Sequence, residues 1–341
     1  MKLTPSKEEL KLKKLIEESN KILVTGHQRI DPDAICGVLA VTKIINQLFP
    51  EKTVNPILQE SHYKWPINSE KVFPGIKSVK NIPDETIDLD KYDLVIVCDA
   101  DRLDRCITNM KGSSKIAVID HHEIHPKEGR DIFINEKRSS CSEQVYVSFK
   151  RMFDGGFKVG KDIATLIYFG ITADTGRFLY KSVNSETFEV VSEIFDISNA
   201  NPQQVEKNSL RISRNSLNAL SEALKNMRCE KNYCYSYIEK DFTEQNNITS
   251  EEVTSGGKDY FLSQLIVNTK DIDWGFVVIP TPEQNIWRVS FRAFRDTEDV
   301  ERFARALGGG GHITASAANV DSNTAKEAVE VVLDTIESNP S

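Results

Sequence analysis

The sequence predicts an α/β protein: a doubly wound, mainly parallel sheet followed by a second, smaller α+β domain. Three observations carry this. Short β-branched runs alternate with helical patterns as far as about residue 197. Several of these runs end in Asp or His, as in Lys115-Ile-Ala-Val-Ile-Asp-His-His122. Beyond Ser198 the pattern changes to strands with few helices between them, and a chain of 341 residues suits two domains.

Taken in order, Ser6 to Ser19 reads as a charged amphipathic helix capped by Ser6. Ile22 to Thr25 is a short buried strand that runs into Gly26, His27 and the turn Asp31-Pro-Asp33. A helix follows over about 34–48, then a strand at Val54 to Leu58. Tyr63 to Pro83 is Pro-rich and irregular, with one short strand at Ile76 to Val79. Asp93 to Cys98 is the clearest strand and ends in Asp99-Ala-Asp101-Arg102. Ile116 to Ile119 and Asp131 to Ile134 are the next two strands. Ser142 caps a helix running to Phe153, a second helix runs from Asp162 to about Thr172 toward Asp174, and a third, capped by Ser185, runs to about Ile197.

Residues 1–197 thus form a first domain, 198–228 a linker with a connecting helix from about Ser216 to Met227, and 229–341 a second domain. In the latter, Tyr233 to Ile238, Trp274 to Ile279 and Ile286 to Phe291 read as strands. A helix at Asp299 to Leu307, the run Gly308-Gly-Gly-Gly-His312, an Ala-rich strand and a final helix over 323–336 complete it.

Acidic residues number 51 against 43 basic ones, a formal charge of −8, which argues against coating long nucleic acid by charge alone. The six cysteines show no CxxC pair and no framework of spacings, so reduced thiols in a cytoplasmic protein are the simplest expectation. The N-terminal residues lack the apolar core of a signal peptide, and no window is long and apolar enough for a membrane span.

Open α/β sheets bind ligands just past the carboxyl ends of their strands. The residues delivered there are unusual: His27, Asp31 and Asp33 after the first strand, Asp99 after the central one, Asp120, His121 and His122 after the next, and Asp174 from a helix. Three of the chain's six histidines fall in this set. Burying so many ionisable groups is costly unless a cation compensates them. Carboxylate and imidazole donors without thiolate suit Mn2+ or a similar divalent ion. Pro32 stiffens the turn so that Asp31 and Asp33 aim at different points and can serve two neighbouring metals, with Asp99 the natural bridge. Two cations ~3.5–4 Å apart would acidify a water for in-line attack on phosphorus. A structural Asp–His pair beside an exposed imidazole is the plainer reading of Asp120 to His122 taken alone.

The motifs Gly26-His-Gln-Arg-Ile-Asp-Pro-Asp-Ala34, Val97-Cys-Asp-Ala-Asp101, Asp120-His-His122 and Ile171-Thr-Ala-Asp-Thr-Gly-Arg-Phe178 together resemble the DHH phosphoesterase superfamily, in its order and spacing. Ser290-Phe-Arg292-Ala and Gly308 to Ser316 resemble the DHH-associated (DHHA1-type) domain of its nuclease and nucleotide-phosphatase branch, nearest the nanoRNase and pAp-phosphatase group. The resemblance spans almost the whole chain. It implies two domains across a cleft. It also implies two metal positions, one on His27, Asp31 and Asp99, the other on Asp33, Asp99, His121 and Asp174. Asp120 would brace a histidine, and His122 would lie near the phosphate. Arg292 and Gly308, Gly309, Gly310, Gly311 and His312 would grip the substrate. Implied substrates are short oligoribonucleotides, linear dinucleotides such as pApA or pGpG, and 3′-phosphoadenosine 5′-phosphate. Neither long DNA nor membrane is implied as a partner, and a homodimer stays open.

Two departures stand out: Ile35-Cys36-Gly37 where the family often has x-Gly-Ser, and Ala293 after Arg292 where it has Ser. Rival readings are a pyrophosphatase or polyphosphatase on the same first domain, disfavoured by the Gly308 to His312 run, and a non-catalytic nucleotide-binding module, disfavoured by the complete donor set. Arg102 and Arg105 fit either phosphate contact or surface salt bridges. Ser139, Ser140 and Glu143 fit either a brace for the metal shell or helix capping. Trp274 and Trp287 fit core positions better than base-stacking platforms, and His62 and His125 read as loop residues.

Overall fold

The structure is a computed structural model that describes residues 4–28, 30–59, 69–122, 129–154, 156–209, 212–294 and 297–339. His62, His125 and the start of the Pro-rich stretch lie outside the described residues. The chain divides into two compact units, Met1–Leu210 and Arg211–Ser341.

The first unit contains β1 (Lys21–Gly26), β2 (Thr53–Leu58), β3 (Lys80–Asn81), β4 (Ile87–Asp88), β5 (Leu94–Cys98), β6 (Met110–Lys111), β7 (Lys115–Ile119) and β8 (Ile132–Ile134). Its helices are α1 (Lys7–Glu18), α2 (Pro32–Leu48), α3 (Ser69–Val72), α4 (Cys141–Met152), α5 (Lys161–Asp174), α6 (Ser185–Ser198) and α7 (Pro202–Ser209). Six strands form one sheet in the order β3-β2-β1-β5-β7-β8, every pair parallel. The chain runs outward from β1 to β3 and returns to β5 on the other side of β1. That reversal is the switch point at which such sheets open a binding crevice. The register levels the strand ends: Gly26 pairs with Cys98, and Cys98 with Ile119. The next residues, His27, Asp99 and Asp120, therefore leave the sheet side by side.

One face of this sheet (Ile22, Val24, Ile96, Ile119) packs against apolar residues of α1, α2, α4 and α5. The other face (Leu23, Val95, Val97, Val118) is covered chiefly by short 3-10 turns and flanking loops, with Leu89, Leu103, Cys106 and Ile107, rather than by α-helices. Ser6 caps α1 in a capping box with Glu9, as expected. Two caps differ from expectation. Ser140, not Ser142, caps α4, and Asn184, not Ser185, caps α6. In each case the residue whose side chain reaches the free amides lies just outside the helix. Ile76–Ser78 is a 3-10 turn, and the strand expected there is the two-residue β3 just beyond it.

The second unit contains β9 (Arg228–Glu230), β10 (Tyr233–Tyr237), β11 (Trp274–Pro280), β12 (Ile286–Ala293), β13 (Gly310–His312) and β14 (Ala315–Asp321). They form one mixed sheet, order β13-β14-β12-β11-β10-β9, in which only β10 and β11 pair in parallel. Its helices are α8 (Arg214–Lys225), α9 (Lys240–Gln245), α10 (Ser250–Val253), α11 (Glu301–Ala306) and α12 (Ala325–Ser338), with a π-helical segment at Thr254–Leu265. The helical connection between β10 and β11 was not expected. Its Gly256-Gly257 pair and weakly periodic apolar residues hide it from a 3.6-residue pattern. Trp274 and Trp287 are core residues, 2% and 4% exposed.

The expectation of six reduced cysteines is corrected. Cys229 and Cys234 are directly opposed on antiparallel β9 and β10 and form a disulfide. Pairing across a short hairpin depends on register, which spacing alone does not reveal. The other four cysteines, Cys36, Cys98, Cys106 and Cys141, are free and buried. Among the described residues no helix is long and apolar enough to cross a membrane.

Candidate active site

Three stretches of backbone build the site. At the end of β1, His27 Nδ1 lies 2.7 Å from the Gln28 carbonyl oxygen, which leaves Nε2 facing inward. Asp31 is the N-cap of α2, its Oδ1 accepting the Ala34 N–H at 2.9 Å, and Pro32 opens the helix. Asp33 is 1% exposed, and its carboxylate is gripped from the N-terminus of α4. The Cys141 and Ser142 N–H groups donate to it at 2.6 and 3.0 Å. A helix N-terminus is a natural seat for a carboxylate.

After β5, Asp99 turns into the left-handed region at φ 60. A non-glycine residue rarely adopts that conformation, and it marks a backbone held there by its surroundings. Asp99 Oδ2 lies 3.5 Å from His27 Nε2 and Oδ1 lies 3.3 Å from His121 Nε2. After β7, Asp120 is fully buried, and its Oδ1 accepts from the His121 backbone N–H and from His122 Nδ1, each at 2.8 Å. His121 Nε2 also lies 3.4 Å from Asp174 Oδ2, at the last residue of α5, and 4.0 Å from Asp33 Oδ2. His122 stands outward with its side chain 48% exposed.

The structure therefore brings together all eight residues that the sequence singled out in the first domain. The ligating atoms of seven of them, all but Asp120, fall into three overlapping groups: His27, Asp31 and Asp99; Asp33, His121 and Asp174; and Asp99, His121 and His122. Within each group the atoms lie within 4.8 Å of one another.

Electrostatics follow from this crowding. Burial lowers the His27 pKa, but the carboxylates of Asp31 and Asp99 outweigh it and the group is pushed up to about 11. Burial likewise opposes the charge on His121, and Asp99, Asp174 and Asp33 raise it to about 10. For Asp99 burial works upward, yet His121 and His27 hold it below the usual carboxylate range. Burial, then repulsion from Asp99 and Asp174, pushes Asp33 well up, against the pull of His121. Burial raises Asp174 to about 6 despite His121. Without a cation, protons on the imidazoles take over the compensation of buried carboxylates.

The donor set fits a divalent metal. Asp99 Oδ1 and His121 Nε2 are buried and 3.3 Å apart, yet neither makes a well-aligned hydrogen bond among the described residues. Both atoms stay open to a shared cation. All donors are oxygen or nitrogen, the chemistry of Mn2+, Mg2+ and similar ions.

In the second unit, Arg292 is half-buried on β12 and its Nε donates to Ser263 Oγ at 3.2 Å. The run expected as a glycine loop is different: Gly308 closes α11 at φ 76, and Gly310, Gly311 and His312 are the edge strand β13. Two of the glycines have a packing reason. A Cβ on Gly309 would lie 2.2 Å from the Ala317 carbonyl oxygen, and one on Gly311 would lie 2.5 Å from that of Ala315. Of these four glycines, Gly310 alone combines an ordinary φ with nothing within 4 Å of the Cβ position.

Other expectations resolve plainly. Arg102 pairs with Asp104 and Arg105 with Asp101. Ser140 is a cap, and buried Glu143 pairs with Arg138 and accepts from Thr187. Sequence reading missed the two α4 amides on Asp33, the Gln28 carbonyl on His27, and Ser263 beside Arg292. Backbone groups leave no residue-type signal, and Ser263 sits in the helical segment that periodicity hid.

A parallel sheet whose switch point gathers carboxylates and imidazoles in overlapping ligand groups has the architecture of a metal-using phosphoesterase. Residues 21–171 match the model described as "DHH family, N-terminal domain", and the chain carries a DHH family domain. It is 28% identical over 308 residues to the "Bifunctional oligoribonuclease and PAP phosphatase NrnA" of Bacillus subtilis, covering 88% of this chain and 89% of that one. It is 24% identical over 191 residues to a "Probable manganese-dependent inorganic pyrophosphatase" of Clostridium acetobutylicum, covering 54% and 53%. The crystal structure of an exopolyphosphatase-related protein from Bacteroides fragilis superposes with a TM-score of 0.81 at 23% identity, covering 97% and 96%. That likeness bears on the fold alone.

Proposed function

We propose that this phosphoesterase hydrolyses short oligoribonucleotides and linear dinucleotides such as pApA and pGpG to mononucleotides, and 3′-phosphoadenosine 5′-phosphate to AMP. The observation that carries the metal chemistry is Asp99, which shares one ligand group with His27 and Asp31 and another with His121 and His122, while His121 joins it to the group of Asp33 and Asp174. His27, Asp31 and Asp99 would hold one divalent ion. Asp33, Asp99, His121 and Asp174 would hold a second. A relative that covers 88% of this chain is named an oligoribonuclease and PAP phosphatase, which supports the substrate class. A relative named manganese-dependent supports Mn2+.

Two such ions would supply the positive charge needed to polarise a phosphoryl oxygen and acidify a water molecule. The chain's own groups do the rest. The α4 amides fix Asp33, and the Gln28 carbonyl fixes the His27 ring. Asp120 orients His122 through Nδ1 and, by that hydrogen bond, raises its pKa. The outward Nε2–H of His122 is then available to a non-bridging phosphate oxygen or to the departing 3′-oxygen, which needs a proton. Arg292 and the strand Gly310 to His312 would hold the substrate's other phosphate.

Purified protein incubated with pApA and Mn2+ should release AMP; absence of AMP while metal is bound overturns the reading. A pyrophosphatase reading rests on a likeness over about half of the chain. Turnover of pyrophosphate exceeding that of pApA would favour it.

A further inference from the structure

We infer that Glu143 is a positioning residue for the metal position on Asp33, Asp99, His121 and Asp174, and that it acts through the first turn of α4. This rests on the proposed function and deepens it. Ser140-Cys-Ser-Glu143 has the S-x-x-E spacing of a capping box, in which the glutamate returns to the N–H of the cap residue. Only half of that box forms. Ser140 Oγ accepts the Glu143 N–H at 3.0 Å, but the Glu143 carboxylate reaches one residue further back, to the Ser139 N–H at 3.3 Å and the Ser139 hydroxyl.

The first N–H groups of a helix have no partner within it. In α4, those of Cys141 and Ser142 go to Asp33, and that of Glu143 goes to the Ser140 hydroxyl. Asp33 is therefore placed by whatever holds this turn. Fully buried Glu143 holds it. Its Oε1 accepts from Arg138 at 2.9 Å, and its Oε2 accepts from Thr187, in the first turn of α6, at 3.0 Å. Buried Arg138 also pairs with Glu186 of that turn at 3.2 Å, which ties the start of α4 to the start of α6. Helix α5 lies directly on the same place: a Cβ on Gly170 would lie 1.9 Å from Ser142 Oγ and 2.6 Å from Asp33 Oδ1. One helical turn beyond Gly170, α5 delivers Asp174.

The two metal positions depend on this turn unequally. A shift of the α4 start moves the Asp33 carboxylate relative to His121 and Asp174. His27 and Asp31 are held by the Gln28 carbonyl and the Ala34 N–H, outside α4. The far end of α4 supplies a comparison within the molecule. There buried Arg151 pairs with fully buried Glu9 of α1 at 3.4 Å, and Glu136 joins Arg151 to Arg138. Glu9 and Arg151 belong to none of the ligand groups. Disturbing either buried pair costs stability. Only the pair at Glu143 reaches a metal ligand.

Calorimetric titration of Mn2+ into the wild-type protein, Glu143→Gln and Glu9→Gln separates the two roles. Both variants should melt below the wild type. In Glu143→Gln one Mn2+ position should weaken by about 10–100-fold while the other holds, and in Glu9→Gln both should hold. The Mn2+ concentration for half-maximal hydrolysis should rise in parallel in Glu143→Gln, with kcat recovered at saturating Mn2+. In EDTA, hydrogen exchange at the Cys141 and Ser142 amides should accelerate in Glu143→Gln and not in Glu9→Gln, a readout that needs neither metal nor substrate. Should Glu143→Gln fail to fold, Thr187→Val, which removes one donor and leaves the charge, should show the same pattern to a smaller degree. A lower Tm with unchanged Mn2+ affinity, equal weakening of both positions, or the same loss in Glu9→Gln overturns the inference. If the wild-type protein binds Mn2+ but cleaves no RNA, the proposed substrates fall and the titration still decides Glu143. If it binds a single ion, the two-metal reading falls and amide exchange alone decides whether Glu143 holds Asp33.

Discussion

Asp99 Oδ1 and His121 Nε2 face each other at 3.3 Å at the carboxyl ends of β5 and β7, and neither makes a well-aligned hydrogen bond among the described residues. Removing the shared carboxylate should therefore do more harm than removing an outer partner, whose loss costs about 10–100-fold. Asp99→Asn is expected to lower kcat by well over a hundredfold with Mn2+ while leaving the far-ultraviolet circular dichroism unchanged. Titration of Mn2+ into the variant should show at least one site lost. Wild-type stoichiometry would refute the bridging role.

Asp120 touches His122 rather than a proposed metal position, so its loss should look different. Asp120→Asn is expected to cost about 10–100-fold in kcat with metal stoichiometry retained. The Asp120 hydrogen bond raises the His122 pKa, so the variant's imidazole titrates lower. The alkaline limb of the kcat profile should move to lower pH. An unmoved limb would remove His122 from the proton path.

The metal-free site has a definite pH signature. His27 and His121 titrate at about 11 and about 10 in the folded protein. These raised values lend stability that is complete below the unfolded value of about 6.5 and lost as pH climbs through the folded ones. Asp174, raised to about 6, has the same sign, losing its contribution as pH rises through that value. Depressed Asp99 is the opposite case, its contribution lost only as pH falls through its low folded value. Metal-free protein should thus melt higher at about pH 5 than at about pH 8. Mn2+ must displace imidazolium protons, so its stabilising increment should grow between those pH values. Melts in EDTA and in Mn2+ check both signs, and an increment flat with pH would argue against imidazole ligation.

Glycines of the C-terminal run should separate into structural and substrate-facing positions. Gly309→Ala drives a Cβ to 2.2 Å from the Ala317 carbonyl oxygen and should lower Tm by several degrees. Gly310→Ala meets nothing within 4 Å, so Tm should hold while KM rises. Identical effects on Tm and KM from both would show that the run serves packing alone.

Alkylation under denaturing conditions without reductant should modify four cysteines, and six after reduction. Six modified without reductant would remove the β9–β10 disulfide.

The sequence by itself determined the strand-and-helix alternation of the first unit and the eight side chains of its site. A β-branched run ending in Asp-His-His states both its burial and the cost of the charges it delivers. It did not determine what holds those side chains. Asp33 is fixed by amides of Cys141 and Ser142, more than a hundred residues away, and backbone N–H groups carry no mark in a one-letter code. Nor did it determine the Cys229–Cys234 pairing, the π-helical segment, or the use of Gly310 to His312 as an edge strand. Those depend on register and close approach between strands and helices. Neither exists until the chain has folded, so only the tertiary structure decided them.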